Sequence, residues 1–115
     1  MSKTEFDLEE RTAKFAEDSR DYFNKLPKTL SNLKYSDQGI RSTGSTAGNY
    51  IEANEALSKK DFYMRIKITK KEAKESRLWF RLSEPLPNQE AEKKRLIQEA
   101  TELTRIFSTI LKSDN

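Results

Sequence analysis

Lysine and arginine crowd one short stretch of this sequence. Nine of them fall between Lys59 and Arg81, at 59, 60, 65, 67, 70, 71, 74, 77 and 81, against three acids at 61, 72 and 75. The stretch carries a balance of +6 in a chain whose total is +3, so the remainder is −3. At 100° per residue, Lys67, Lys70, Lys74, Arg77 and Arg81 line up on one side of a helix, with Tyr63 near the start of the line. Cations so spaced can follow a phosphate backbone, and an aromatic ring beside them can stack on a base. The same run also suits a plainly solvated helix face. Oligomerisation shifts that balance, because a ring repeats the stripe about its axis and concentrates the positive field. The expected nucleic-acid-binding residues are Lys67, Lys70, Lys71, Lys74, Arg77 and Arg81, with Arg65 as an outlying member.

Acids offer a second chemistry. Glu52 and Glu55 are three apart, as are Glu72 and Glu75, and antiparallel neighbours could bring all four together. That is half of the di-iron carboxylate recipe, whose other ligands come from Glu-x-x-His pairs. The chain has no histidine and no cysteine. Neither a Ser-His-Asp nor a Cys-His nucleophile can be built, nor the usual zinc site, nor an imidazole base working near neutrality. The expectation is no enzyme, no metal and no cofactor. The paired acids are read as structural, holding Arg41, Arg65 or Arg77 on a helix seam.

The elements that must position these residues are helical. With 115 residues, 36% charged and 34% hydrophobic, the chain suits one domain of thin-striped helices. Leu8, Thr12, Phe15, Ser19, Tyr22 and Leu26, widened by Ala16 and Phe23, predict a first helix over about 6–26, ended by Pro27. A second is expected over about 32–57. Ser58 with Asp61 reads as a capping pair that starts a third, running to about Leu82. Pro85 and Pro87 break the chain, Asn88 can cap a fourth, and Leu96, Ala100, Leu103, Phe107 and Ile110 form its stripe. Short connections between four amphipathic helices make an all-α, antiparallel up-down-up-down bundle spanning 1–115.

Two features exceed what a bundle member needs. From Ser42 to Asn49 every side chain is small, yet Leu33, Ile40, Thr43, Ala47, Tyr50, Asn54 and Leu57 keep a helical beat through it. Glycines four apart, at 44 and 48, in a helix generally admit another backbone; the other reading is a loop between two shorter helices. In the third helix, Phe62, Ile66, Thr69, Ala73, Ser76 and Phe80 form the core face. Met64, Ile68, Trp79 and Leu82 lie well round from it and are the expected contact with a second copy. Alternatively Trp79 simply reaches round into a single broad core.

The sequence resembles the four-helix-bundle family encoded by intervening sequences of bacterial 23S ribosomal RNA genes. The matching text is DLEERTAKFA, LPKTLSN, IRSTGSTAGNYIEANEALSKKDF and RIKITKKEAKESRLWFRL, from Asp7 to about Leu82. Within it, GS-x-x-x-N-x-x-EA together with KEA-x-E and a tryptophan four residues on is the specific combination. The fourth helix matches only in being amphipathic. The resemblance implies an antiparallel bundle assembled as a homopentameric ring, with no assigned enzymatic activity. A related branch serves diversity-generating retroelements as an accessory protein, a basic pentameric barrel that associates with the reverse transcriptase and with nucleic acid. The small-residue run brings this chain closer to the intervening-sequence branch.

The function expected is therefore a non-enzymatic ring that binds RNA or DNA backbones with low sequence specificity. The alternative is a structural or accessory ring that docks a protein partner such as a reverse transcriptase. No run of about 18 apolar residues and no basic-then-apolar leader is present, so neither a membrane nor secretion is expected, and the compartment expected is the cytoplasm.

Overall fold

Four amphipathic stripes need four partners, and the chain supplies them to itself. The computed structural model describes residues 3–114, and side chains from 8 onward. Its helices are α1 (Lys3–Asn24), α2 (Leu30–Asn54), α3 (Lys59–Leu82) and α4 (Glu90–Leu111), with a single 3₁₀ turn at Pro87–Gln89. There is no strand among the described residues. α1 packs on α2, α2 on α3 and α3 on α4, while α1 and α4 meet over a shorter seam. Contacts fix the antiparallel sense. Glu9 near the start of α1 bonds Asn54 at the end of α2, and Asn49 bonds Arg65 at the start of α3.

The expected stripe of α1 is buried at every position from Leu8 to Leu26 but the half-buried Ala16, although the helix itself stops at Asn24; the side chain of Phe6 lies outside those described. Phe15, Tyr22 and Phe23 close on Phe80 of α3, with Phe23 stacked on it at 5.0 Å and Phe15 edge-on at 6.1 Å. Ile66, Thr69, Ala73, Ser76 and Phe80 are wholly buried and Phe62 half-buried, so the expected core face of α3 is the core face. Leu96, Ala100, Leu103 and Phe107 do the same for α4.

The small-residue section is helical throughout, not a loop. Its two sides do different things. Ser42, Thr43 and Thr46 point inward, and the hydroxyls of Ser42 and Ser76 lie 2.8 Å apart across the α2–α3 seam. Thr43 and Thr46 donate to the carbonyls of Gly39 and Ser42, one turn back, so burial leaves them satisfied. Gly39 is where two elements truly collide: an added Cβ would run into the ring of Phe23. At Gly44 and Gly48 an added Cβ meets nothing within 4 Å. Those two glycines admit no backbone of this chain.

Three further boundaries differ from expectation. α2 begins two residues early because Thr29 accepts from the Asn32 N–H as N-cap. It ends at Asn54, since Ser58 must be extended to cap α3, where its hydroxyl accepts from the Asp61 N–H at 3.1 Å. Leu57, counted in the helical beat, is therefore outside the helix and 99% exposed. Asn88 sits inside the 3₁₀ turn instead of capping α4, and Gln89 takes the cap position. Asn32 ties the two far loops together. Its amide donates to the carbonyls of Pro27 and Glu84, both at 3.0 Å, and its oxygen accepts from the Glu84 N–H at 2.9 Å.

Candidate nucleic-acid interface

α3 is helical from Lys59 because Ser58 caps it and Asp61 sits in its first turn, where a carboxylate suits the exposed N–H groups. Arg81 in the last turn complements the other end of the helix dipole. Flanking the core face, with a midline about 100° round from it, Lys67, Lys74 and Arg81 are exposed, while Lys70 and Arg77 are half-buried. The five share an arc of about 80°. Arg77 is anchored by donating to the Thr101 hydroxyl of α4 at 3.3 Å. None of the five has an ion-pair partner among the described residues.

The chain's ion pairs lie mostly elsewhere. Arg11 of α1 grips Glu99 of α4 with two bonds of 2.8 Å, and Glu102 at 3.3 Å. Arg95 reaches Glu92 at 2.6 Å and Asp18 at 2.9 Å, and Lys14 also reaches Asp18. Burial alone would raise the Asp18 carboxyl, but the bonds from Lys14 and Arg95 outweigh it and hold it below its usual range. Acids thus meet Arg11 and Arg95 across the α1–α4 seam, while none of the five stripe cations of α3 is held by a carboxylate among the described residues.

Two expected members stand apart from this stripe. Arg65 points towards α2, where it donates to Asn49 at 3.1 Å, about 160° round from the stripe's midline. Lys71 is about 80° off it and acts electrostatically on Glu72. The four paired glutamates do not converge, and no group of three or more potential metal-ligating side chains exists among the described residues. The antiparallel pairing explains this: Glu52 and Glu55 lie at the end of α2 next to the start of α3, whereas Glu72 lies beside Arg41, about three turns back along α2. Glu72 lies 4.0 Å from Arg41, and one of its oxygens is buried without a hydrogen-bond partner. Burial raises its carboxyl, the neighbouring Glu75 raises it further, and Arg41 and Lys71 only partly oppose this.

Of the expected self-contact residues, Met64 is 53% exposed and Leu82 is 40% exposed, whereas Ile68 and Trp79 are half-buried. Trp79 stacks on Tyr35 of α2 at 6.2 Å and packs against the core, with its indole N–H buried and unpartnered. The sequence reading passed over a second exposed apolar line, on α2. Leu33, Ile40, Gly44 and Ile51 fall within about 40° of one another on the solvent side, with Leu30 and Gly48 beside them. Its signal was present in the spacing of Leu33 and Ile40, there assigned to a general helical beat.

With this geometry in hand, comparison with known proteins bears on the fold. The chain is similar to the crystal structure of a protein with unknown function from the S23 ribosomal protein family of Bacteroides thetaiotaomicron, with a TM-score of 0.75. The likeness covers 91% of this chain and 98% of that one, at 24% identity. The two share a fold. No family model and no curated protein matches the sequence. Among the described residues, no helix is long and apolar enough to cross a membrane.

Proposed function

We propose that this chain is a non-enzymatic, self-associating bundle whose α3 binds the sugar–phosphate backbone of RNA or DNA with little sequence preference. The observation that carries the reading is the sorting of charge. Arg11 and Arg20 of α1 and Arg95 of α4 are paired with acids, though Arg105 of α4 is not, while five cations of α3 face one way with no ion-pair partner among the described residues. A chain without histidine or cysteine, and without a cluster of acids among its described residues, supports the non-enzymatic part.

The assembly follows from two unlike apolar surfaces on one chain. Leu82 of α3 stands out as a knob, while Met64 lines a cleft near the other end of that helix, and the α2 line sets glycines among exposed apolar residues. Joining one kind of surface to the other is a head-to-tail contact, which makes a ring when its rotation closes and a filament when it does not. The resemblance to the intervening-sequence family sets that ring at five, and the fold shared with a protein from the S23 ribosomal protein family supports placing the chain in this neighbourhood. A ring would repeat the α3 stripe and raise its field.

Salt tests the binding half. Five neutralised phosphates on a single strand give a slope of roughly −3.5 in log affinity against log salt, so affinity falls roughly 100-fold between about 50 and 200 mM. Titration of labelled single-stranded RNA by anisotropy measures it. Absent binding, or binding indifferent to salt, would refute the reading.

A further inference from the structure

We propose that the first turns of α3 hold an unpaired base of a single-stranded nucleic acid against the Tyr63 ring, with the flanking phosphates on Lys59, Lys60 and Lys67. This rests on the reading of α3 as a backbone-binding surface and adds a base site at one end of it.

The stripe begins at a cleft of about 520 Å³. Its walls are Tyr63, Met64 and Ile68, and Lys59, Lys60 and Lys67 stand around them. An apolar, aromatic lining rules out a bare phosphate or a hydrated cation as the natural occupant, since neither gains from such surface. Three ammonium groups rule out a purely apolar one. A flat heterocycle joined to phosphates satisfies both demands. Tyr63 suits the stacking role because its ring is already held: it is half-buried and the Phe62 ring meets it edge-on at 5.1 Å and 79°. The Lys59 ammonium lies over the Tyr63 ring, 6.0 Å from its centre, so an incoming base takes the place of that cation on the ring face. Lys59 is itself exposed and free to swing from the ring to a phosphate as a base takes its place.

Tyr63 also lies on the line of the cationic stripe, not beside it. It sits within the arc that Lys67, Lys70, Lys74, Arg77 and Arg81 share, and about 27 Å of helix separate it from Arg81. A strand whose base enters the cleft thus has its backbone already directed along the cations. A duplex keeps its bases stacked inside and cannot use the cleft without extruding one, at a cost of a few kcal/mol. Asp114 is the one acid lining the cleft, which directs the phosphates to the lysines.

The test compares two strands of equal charge on the full chain. A labelled deoxythymidylate 12-mer and an abasic deoxyribose-phosphate 12-mer are titrated by anisotropy at one salt concentration. The base-bearing strand is expected to bind about tenfold tighter, the scale of a single base–aromatic stack. Tyr63→Leu should abolish the difference, Tyr63→Phe should keep it, and both should leave the salt slope unchanged, with helicity checked by circular dichroism. Equal affinity of the unaltered chain for the two strands overturns the base site while leaving the α3 stripe standing, and needs no variant to fold. Binding of neither strand overturns both.

Discussion

Replacing Gly44 and Gly48 together by alanine should make one chain more stable and its assembly weaker. Both glycines lie inside α2, and a Cβ added at either meets nothing within 4 Å. Each therefore carries the entropic cost of helical glycine, about 0.5–1 kcal/mol, with no compensating close approach inside the chain. The pair should gain about 1–2 kcal/mol, or about 4–8 °C in melting temperature for a domain of this size. If the line of Leu33, Ile40, Gly44 and Ile51 receives a neighbouring copy, the same methyls overfill a close helix contact. That costs about 1–3 kcal/mol, enough to weaken association by about 5- to 150-fold. Urea unfolding at low concentration and light scattering at high concentration read the two effects separately. Gly39→Ala is the internal contrast, since its Cβ runs into Phe23, which is 2% exposed and stacked on Phe80, and stability should fall. If the double variant loses stability, the glycines serve the chain's own fold. If it gains stability and assembles unchanged, the α2 line is not the contact.

Two further perturbations probe the polar interior. Glu72→Gln should stabilise the chain near neutral pH and flatten its pH dependence. Burial and then Glu75 raise the Glu72 carboxyl above the ordinary 4.5, so the folded state binds the extra proton and stability falls as pH rises from about 4.5 through the raised value. Asp18 works with the opposite sign and only in acid: its lowered carboxyl loses its contribution as pH falls below about 3.8, so urea midpoints across pH separate the two. A loss of stability in Glu72→Gln at neutral pH would show that Arg41 needs the charge. Asn32→Ala should lower stability by about 1–3 kcal/mol in thermal melts, because Pro27 and Glu84 lose three bonds at a side chain that is 1% exposed. A shift under about 0.5 kcal/mol would mean that water replaces those bonds freely.

Helix number and core were legible because burial follows a 3.6-residue period wherever the buried residues are large. α1 and α4 each carry a single apolar stripe, and every residue of the α1 stripe but the half-buried Ala16 is buried. α2 hid its core because the period there is written in hydroxyls. Its inward face is Asn32, Gly39, Ser42, Thr43, Thr46, Tyr50 and Ala53, while Leu30, Leu33, Ile40 and Ile51 point out. A hydropathy reading ranks those sets the wrong way round. What reverses the ranking is distance: α3 lies close enough that only small side chains fit the seam, and their hydroxyls bond the preceding turn at little cost.

Charge was legible as a stripe but not as a sorted map. Spacing along α3 places Lys67, Lys70, Lys74, Arg77 and Arg81 together without reference to any other helix. It cannot say which cations are already spent, because that depends on acids 77 and 88 residues away. Arg11 meets Glu99 across the full length of the chain, and Arg95 likewise meets Asp18. Nor can spacing show that Arg65 is turned to Asn49 on the neighbouring helix. The distinction matters for binding, since a phosphate must outcompete a resident carboxylate at Arg11 or Arg95 but only water at Lys67 or Lys74. On the proposed function, a polyanion entering this surface is therefore steered to α3 even though the chain as a whole carries only +3.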